Sequence, residues 1–392
     1  MMITLKILVF CIALWLIALI SLPFILNSSQ GQKFALEQLR KVIPGILEIK
    51  SFHVSWLGPQ RFENIAYHNP QKSAALYCKE IEIDNSLLSF VVPGIWTFHT
   101  KIADAQVQMA ADEISPRGLT LNDLRGSLNL KADIYSRKLY GAALDLKGAD
   151  GSLTLFGSDN NGILTLQKPL EANIVTTSDV GQRILQECLP FIKAVVNTEE
   201  PLKVVIAQEG FALPLNNFQW SRLQFKQAKI DLGKMTIQNS GPLAKVIKVI
   251  APDKPEKIKL WLTPAYLSMA NGMIYLDRID ILALDKFPLA AWGKINLADD
   301  KLKMTLGITP KALKGVVDIP APLDKEMLLL PLTGSLKDAE IDTSKLKTSI
   351  GQMAIQLLGK LMKSDKNETK DNAKDTENEK IPPPTTQPLP WE

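Results

Sequence analysis

Alternation of apolar and polar residues runs through most of the chain between residue 46 and about residue 340. Leu128, Leu130 and Ala132, for example, alternate with Asn129 and Lys131. A period of two is typical of a strand with one buried face and one face in water. The pattern therefore predicts a mainly β body over residues 46 to 342.

Two Asn-Gly pairs predict how neighbouring strands are joined. Asn161-Gly162 separates the apolar runs 153–156 and 163–166, and Asn271-Gly272 separates the runs 266–269 and 273–276. Both residue types tolerate the positive φ of tight hairpin turns. Further alternating runs follow up to residue 308 with short polar turns, so we expect an antiparallel β-meander.

A few short helices interrupt or flank these strands. Apolar residues at intervals of three and four predict them at residues 29–45 with Ser29 as the N-cap, from Ser178 to Val196 with a kink at Pro190, at residues 243–250, and at residues 343–363. The last of these is amphipathic and basic. It fits either a helix at a membrane surface or a helix packed on the end of the sheet.

The N-terminal segment is the most apolar part of the chain. Residues 7–26 contain no charged side chain, and at about 1.5 Å per residue they would span a hydrocarbon core of about 30 Å. We predict an uncleaved single-pass anchor over residues 1–28 that includes Ile7, Trp15 and Leu26. A cleaved signal peptide and a buried core helix are the alternatives, but no A-x-A-like cleavage site follows.

The C-terminal 29 positions, residues 364–392, have a different composition. Charged and small polar residues fill positions 364–380, and proline is frequent after them. Such a sequence buries too little apolar surface to offset its ordering entropy. We therefore predict a disordered tail, and expect truncation after Lys363 to leave the fold intact.

Composition and motifs offer little for catalysis. A net charge of +4 over 392 residues is too evenly mixed for a nucleic-acid partner, and three His and three Cys are too few and too scattered for a zinc site. The nucleophile, phosphate-binding and dinucleotide-binding motifs are absent from the sequence. We predict no enzyme activity, no metal and no cofactor, and leave open whether Cys78 and Cys188 pair.

Several motifs follow the apolar N-terminal segment: Ser55-Trp56-Leu57-Gly58-Pro59, then Asn271-Gly272-Met273-Ile274-Tyr275 and Trp292-Gly293-Lys294-Ile295. Together they resemble AsmA-like proteins of the Gram-negative envelope, the group that includes TamB. Leu330-Pro331-Leu332-Thr333-Gly334 resembles the C-terminal module of that family.

This resemblance implies an inner-membrane anchor, a periplasmic body and strands that curl into an elongated groove handling phospholipid for the outer membrane. Lysines and arginine after the anchor favour a cytoplasmic body instead, because positive flanks tend to stay inside, although long domains cross largely regardless of charge. The resemblance also makes other envelope proteins candidate partners. About 300 residues of meander are too short for one copy to bridge the periplasm.

Two hypotheses follow for the apolar face of the sheet. It lines a lipid groove, or it is the dry core of an anchored structural or assembly adaptor, since both need the same alternation. For the groove hypothesis, the candidate residues are Leu260, Leu262, Leu302, Met304 and Leu306.

Overall fold

The computed structural model describes most of the chain in two compact units, Met1–Asn161 and Gly162–Glu392. The described residues are 21–43, 45–70, 74–90, 94–109, 119–133, 138–214, 222–251, 255–314, 327–336, 338–341 and 381–392. Both units are mainly β, as the alternation predicts.

Helix α1 of the N-terminal unit spans Ser29–Val42. The Ser28 hydroxyl accepts a hydrogen bond from the Gly31 backbone N–H, which satisfies one of the free donors of the first turn. The helix lies where the sequence predicts it, but the cap is Ser28 rather than Ser29. Arg40 and Lys41 in the last turn complement the negative end of the helix dipole.

Seven antiparallel strands lie in the described part of this unit. They are β1 (Ile46–His53), β2 (Gln60–His68), β3 (Ala74–Ile83), β4 (Trp96–Met109), β5 (Leu119–Asp133), β6 (Lys138–Gly148) and β7 (Gly151–Asp159). A 3-10 helix, Leu87–Phe90, lies between β3 and β4. Each strand pairs with the next one along the chain, so the predicted meander is confirmed here.

Positive backbone angles mark irregular positions in three of these strands. Asn64 in β2, Asp104 in β4 and Asp123 in β5 have φ of 51°, 50° and 54°. Between β4 and β5 the register shifts from Ile102 to Ala105. An extra residue at such a point bends the strand and shifts the alternation by one position. Ile102 and Ala105, which are three positions apart, can therefore point to the same face.

Helix α1 protects the outer edge of β1 in this unit. The Asn27 side chain donates to the Val54 carbonyl at 2.9 Å and accepts from the Val54 N–H at 2.8 Å. Gln32 and Arg40 donate to the carbonyls of Phe52 and Leu47 at 3.0 Å each. These side chains satisfy backbone groups that an edge strand would otherwise offer to another chain.

Fourteen strands lie in the described part of the C-terminal unit. They are β8 (Ile163–Leu166), β9 (Leu170–Ile174), β10 (Val195–Thr198), β11 (Leu202–Ile206), β12 (Leu213–Pro214), β13 (Phe225–Asp231), β14 (Gly233–Gln238), β15 (Lys257–Leu262), β16 (Ala265–Ala270), β17 (Met273–Ala283), β18 (Phe287–Asn296), β19 (Lys301–Ile308), β20 (Leu328–Gly334) and β21 (Ala339–Ile341). Its helices are α2 (Asp179–Cys188), α3 (Gly241–Ile250) and α4 (Pro310–Leu313).

Strand β17 is the branch point of this unit. Its first half pairs with β16 and its second half with β15, while β18 follows on its other side. From β16 the pairing continues through β13 and β11 to β9, and from β15 it continues through β14 to β10. Strands β18 to β21 pair in chain order, so only this end of the unit is a simple meander.

Some of the predicted turns and helices of this unit are confirmed. The strand after Asn161-Gly162, β8, pairs with β12, so the hairpin predicted at that Asn-Gly pair is not confirmed. Asn271-Gly272 joins β16 to β17 with φ of 51° and 74°, and Ser178 caps α2 as predicted. Helix α2 ends at Cys188, however, and Val196 lies in β10 instead of a kinked continuation. The predicted helix at 343–363 lies outside the described residues.

Candidate functional site

The five residues predicted to line a groove lie together but are covered. Leu260, Leu262, Leu302, Met304 and Leu306 are 1–6% exposed, and they point to the same side of β15 and β19. Leu243, Val246, Ile247 and Ile250 of helix α3 are buried in the same unit, and so are residues of both sheet branches. The structure therefore places these candidates in a closed core rather than in an open groove.

An open apolar face lies instead in the N-terminal unit, on strands β4 to β7. The side chains that form it are Phe98, Ile102, Leu128, Leu130, Leu144, Leu146, Leu153 and Leu155, and all of them are half-buried. They form continuous rows, since Leu128 pairs with Leu144 and Leu144 with Leu155. We call this set the open face.

The open face continues into a small buried cluster at the helix end of the sheet. Leu47, Ile65, Cys78 and Ala105 are buried there, with Ile43 of the α1 C-cap packed against them. This packing thus closes the sheet at the end near helix α1, where it reaches Ala105 of β4. Apart from Ala105 and Gly157, the residues of β4 to β7 whose burial the structure describes are half-buried or exposed.

The opposite face of the same sheet is polar and carries ion pairs. Glu82 accepts hydrogen bonds from Arg61 at 2.8 Å and Lys101 at 3.1 Å, and Arg125 lies 2.6 Å from Asp104. The hydrogen bond from Lys101, followed by that from Arg61, lowers the pKa of the Glu82 carboxyl. Because exposed ion pairs contribute little to stability, they chiefly mark this face as the hydrated one.

The predicted anchor is only partly covered by the structure. Ile7 and Trp15 lie outside the described residues, whereas Leu26 is in a helical segment at 21–27. No helix among the described residues is both long enough and apolar enough to cross a membrane. Phe24 is 77% exposed and Leu57, in the loop after β1, is 85% exposed.

A second site, which the sequence analysis missed, lies on the outer face of the C-terminal unit. Arg278 and Asp280 of β17 form a buried ion pair there, with Nη2 2.7 Å from Oδ1 and Nε 3.1 Å from it. Burial raises the pKa of the Asp280 carboxyl, and Arg278 offsets part of this rise. The other carboxylate oxygen, Oδ2, is buried without a hydrogen-bond partner.

Residues 381–392 cover this ion pair. Arg278 Nη1 donates to the Pro382 carbonyl at 2.8 Å, and the Thr385 hydroxyl donates to the Arg278 carbonyl at 3.3 Å. The rings of Trp261 and Trp391 meet at 5.6 Å with an interplanar angle of 61°. The prediction of disorder is therefore wrong for 381–392, because buried charge and aromatic contacts on a distant strand hold them. Residues 364–380 lie outside the described part of the chain.

The remaining candidates have simple structural roles. Cys78 and Cys188 are free thiols, and burial raises the pKa of Cys188 to about 12, so it stays protonated near neutrality. No cluster of three or more His, Cys, Asp or Glu suited to a metal occurs within the described ranges. No protein-family model, curated protein or solved structure matches this chain.

Proposed function

We propose that the chain is a membrane-anchored envelope protein of AsmA-like type that handles phospholipid. The observation that carries the proposal is the open face of β4 to β7, where rows of leucines are only half-buried. Contiguous exposed apolar patches on soluble domains usually contact a partner, a ligand or a lipid. The open face thus takes the place of the residues around Leu260 and Met304 as the acyl-chain site.

The chemistry of the two sheet faces supports this assignment. Acyl chains need an apolar surface without demands for hydrogen bonds, which leucine rows supply, and the ion-paired face keeps the other side of the sheet in water. Exposed Phe24 and Leu57 lie in the same unit. We place that unit next to the inner membrane, with the body in the periplasm.

The second candidate function is an anchored structural or assembly adaptor without lipid cargo. The closed core of the C-terminal unit favours it, since that unit fills its apolar interior with its own side chains. The two functions differ in what touches the open face: phospholipid in the first case, and an envelope protein in the second.

Site-specific photocrosslinking in the full chain distinguishes them. We would place p-benzoylphenylalanine at Leu144 on the open face, at Asp145 on the adjacent exposed position of the opposite face, and at Met304 in the closed core. Under the lipid proposal, irradiation in cells yields phospholipid adducts, detected by mass spectrometry, at Leu144 and not at the other two positions. Protein adducts alone at Leu144 would favour the adaptor, and equal lipid labelling at Asp145 would contradict the proposal.

A matched pair of charge substitutions tests the two surfaces independently. Met304 is 3% exposed, so Met304→Asp places a carboxylate without a partner in the core. This substitution should lower the free energy of unfolding by about 2 kcal/mol or more. Leu144 is half-buried, so the new carboxylate of Leu144→Asp keeps contact with water. This substitution should lower the free energy of unfolding by less than Met304→Asp does, and it should reduce the amount of co-purified phospholipid. Urea unfolding and lipid mass spectrometry measure both. Equal destabilisation by the two substitutions would show that the open face is covered.

A further inference from the structure

Residues 381–392 have the composition of a peptide ligand rather than of a core element. Five of these residues are proline, and the segment Ile381-Pro382-Pro383-Pro384 opens it. Proline fixes φ and lacks a backbone N–H, so such a segment does not join a β-ladder and loses little conformational entropy when it docks. Its carbonyls are left free to accept hydrogen bonds, as Pro382 does from Arg278.

The surface beneath the segment matches this composition. Trp261, Tyr275 and Trp292 lie on the outer side of β15, β17 and β18, with Arg278 and Lys294 on the same side. Aromatic-lined surfaces with a side-chain donor are the usual receptors for proline-rich segments in the polyproline II conformation. The site therefore combines an apolar platform with a cation that binds a peptide carbonyl.

The fit between the segment and the sheet is incomplete. A cavity of about 520 Å³ lies between them, bordered by Tyr275, Arg278, Trp292, Lys303, Pro382 and Thr385. This space indicates a ligand that can be exchanged, since a core element of the fold would be expected to fill it.

We propose that the outer surface around Trp261, Arg278 and Trp292 is a binding site for proline-rich peptides, and that residues 381–392 occupy it as an exchangeable ligand in cis. Because the ligand is covalently attached, its effective concentration at the site does not fall on dilution, so even a weak site is filled. A free peptide of the same chemistry gains access when the connection is cut. This inference is independent of lipid handling, which concerns the N-terminal unit.

The test starts from the full chain, purified in detergent, with a specific protease site inserted between Lys370 and Thr376. After cleavage, dilution and gel filtration should remove the C-terminal fragment, and a fluorescent synthetic peptide of residues 381–392 is then titrated by anisotropy. We expect binding in roughly the micromolar range to the cut chain and at least tenfold weaker binding to the uncut chain.

Variants of the peptide and of the body give the controls. Trp391→Ala in the peptide, and Trp261→Leu in the body, should each weaken binding at least tenfold, and a scrambled peptide of the same composition should not compete. Melting of the cut chain is followed in parallel. Absence of binding to a folded cut chain, equal binding of the scrambled peptide, or unfolding once the fragment is removed would each overturn the proposal, the last because the segment would then be part of the core.

Discussion

At the scale of single residues, exposure separates side chains that look alike in the sequence. Leu144 and Leu306 both occupy apolar positions of alternating strands, yet the first is half-buried and the second is 1% exposed. Asp280 is the opposite case. It stands in an alternating strand where a hydrated carboxylate is expected, but it is 3% exposed and paired with Arg278.

The Asp280 carboxyl should make stability depend on pH in a defined direction. Burial sets the pKa of this carboxyl above the ordinary value of 3.8, and the interactions with Arg278 offset only part of that rise. The folded state then holds the proton more tightly than the unfolded state, so this contribution to stability is present below about pH 3.8 and is lost as pH rises through the raised pKa. Urea unfolding of the wild-type chain and Asp280→Asn at a series of pH values measures it.

The expected result is a difference between the two proteins that changes with pH above about 3.8, with the wild type losing stability relative to the variant as pH rises. Asp285→Asn, at an exposed turn position with φ of 55°, is the control and should follow the wild-type curve. Parallel curves for wild type and Asp280→Asn would contradict the assignment.

At the scale of elements, the sequence predicted correctly those features that depend on interactions between residues close along the chain. The cap of α2, the Asn271-Gly272 hairpin and the meander of β1 to β7 follow from hydroxyl capping, positive φ and period-two alternation, whereas the cap of α1 was predicted one residue too late. Disorder was predicted for residues 381–392 because composition indicates only how much apolar surface a segment can bury by itself. It does not report a distant Trp261 or Arg278 that can hold the segment in place.

Removal of residues 381–392 should therefore cost stability, contrary to the expectation from composition. The deletion exposes the Arg278–Asp280 pair and removes the Trp261–Trp391 contact. A loss of about 1 to 2 kcal/mol corresponds to roughly 2 to 8 °C in the melting temperature of the C-terminal unit. Deletion of residues 364–380 alone, which keeps the segment, is the control and should change melting by less. An unchanged melting temperature after removal of 381–392 would show that these contacts contribute nothing.

At the scale of the whole molecule, the two units differ in how much of their apolar sheet face is covered by protein. Each has a sheet with one apolar face. The C-terminal unit covers that face through its two branches at β17 and helix α3, whereas the N-terminal unit covers it only at the end near α1. This difference is the reason for assigning lipid to the N-terminal unit and peptide binding to the C-terminal unit.

The proposed topology makes a prediction for the full chain. With an anchor over residues 1–28 and a periplasmic body, an alkaline phosphatase fusion at residue 370 should be active and a green fluorescent protein fusion at the same position, exported unfolded, should be dark. The same fusions without residues 1–28 should show the reverse and serve as the control. Fluorescence at residue 370 in the anchored chain would place the body in the cytoplasm, as the flanking positive charges favour.

The sequence by itself determined most of the strands, their antiparallel order in the N-terminal unit, the Asn271-Gly272 turn and the approximate positions of three helices. These features depend on interactions between residues close along the chain, and the alternation of Leu128, Leu130 and Ala132 carries them directly. Only the tertiary structure decided which apolar face is covered, because covering elements can come from far along the chain, as residues 381–392 do over Asp280. A period of two shows that a strand has an apolar side, but the long-range packing decides whether protein, lipid or water meets it.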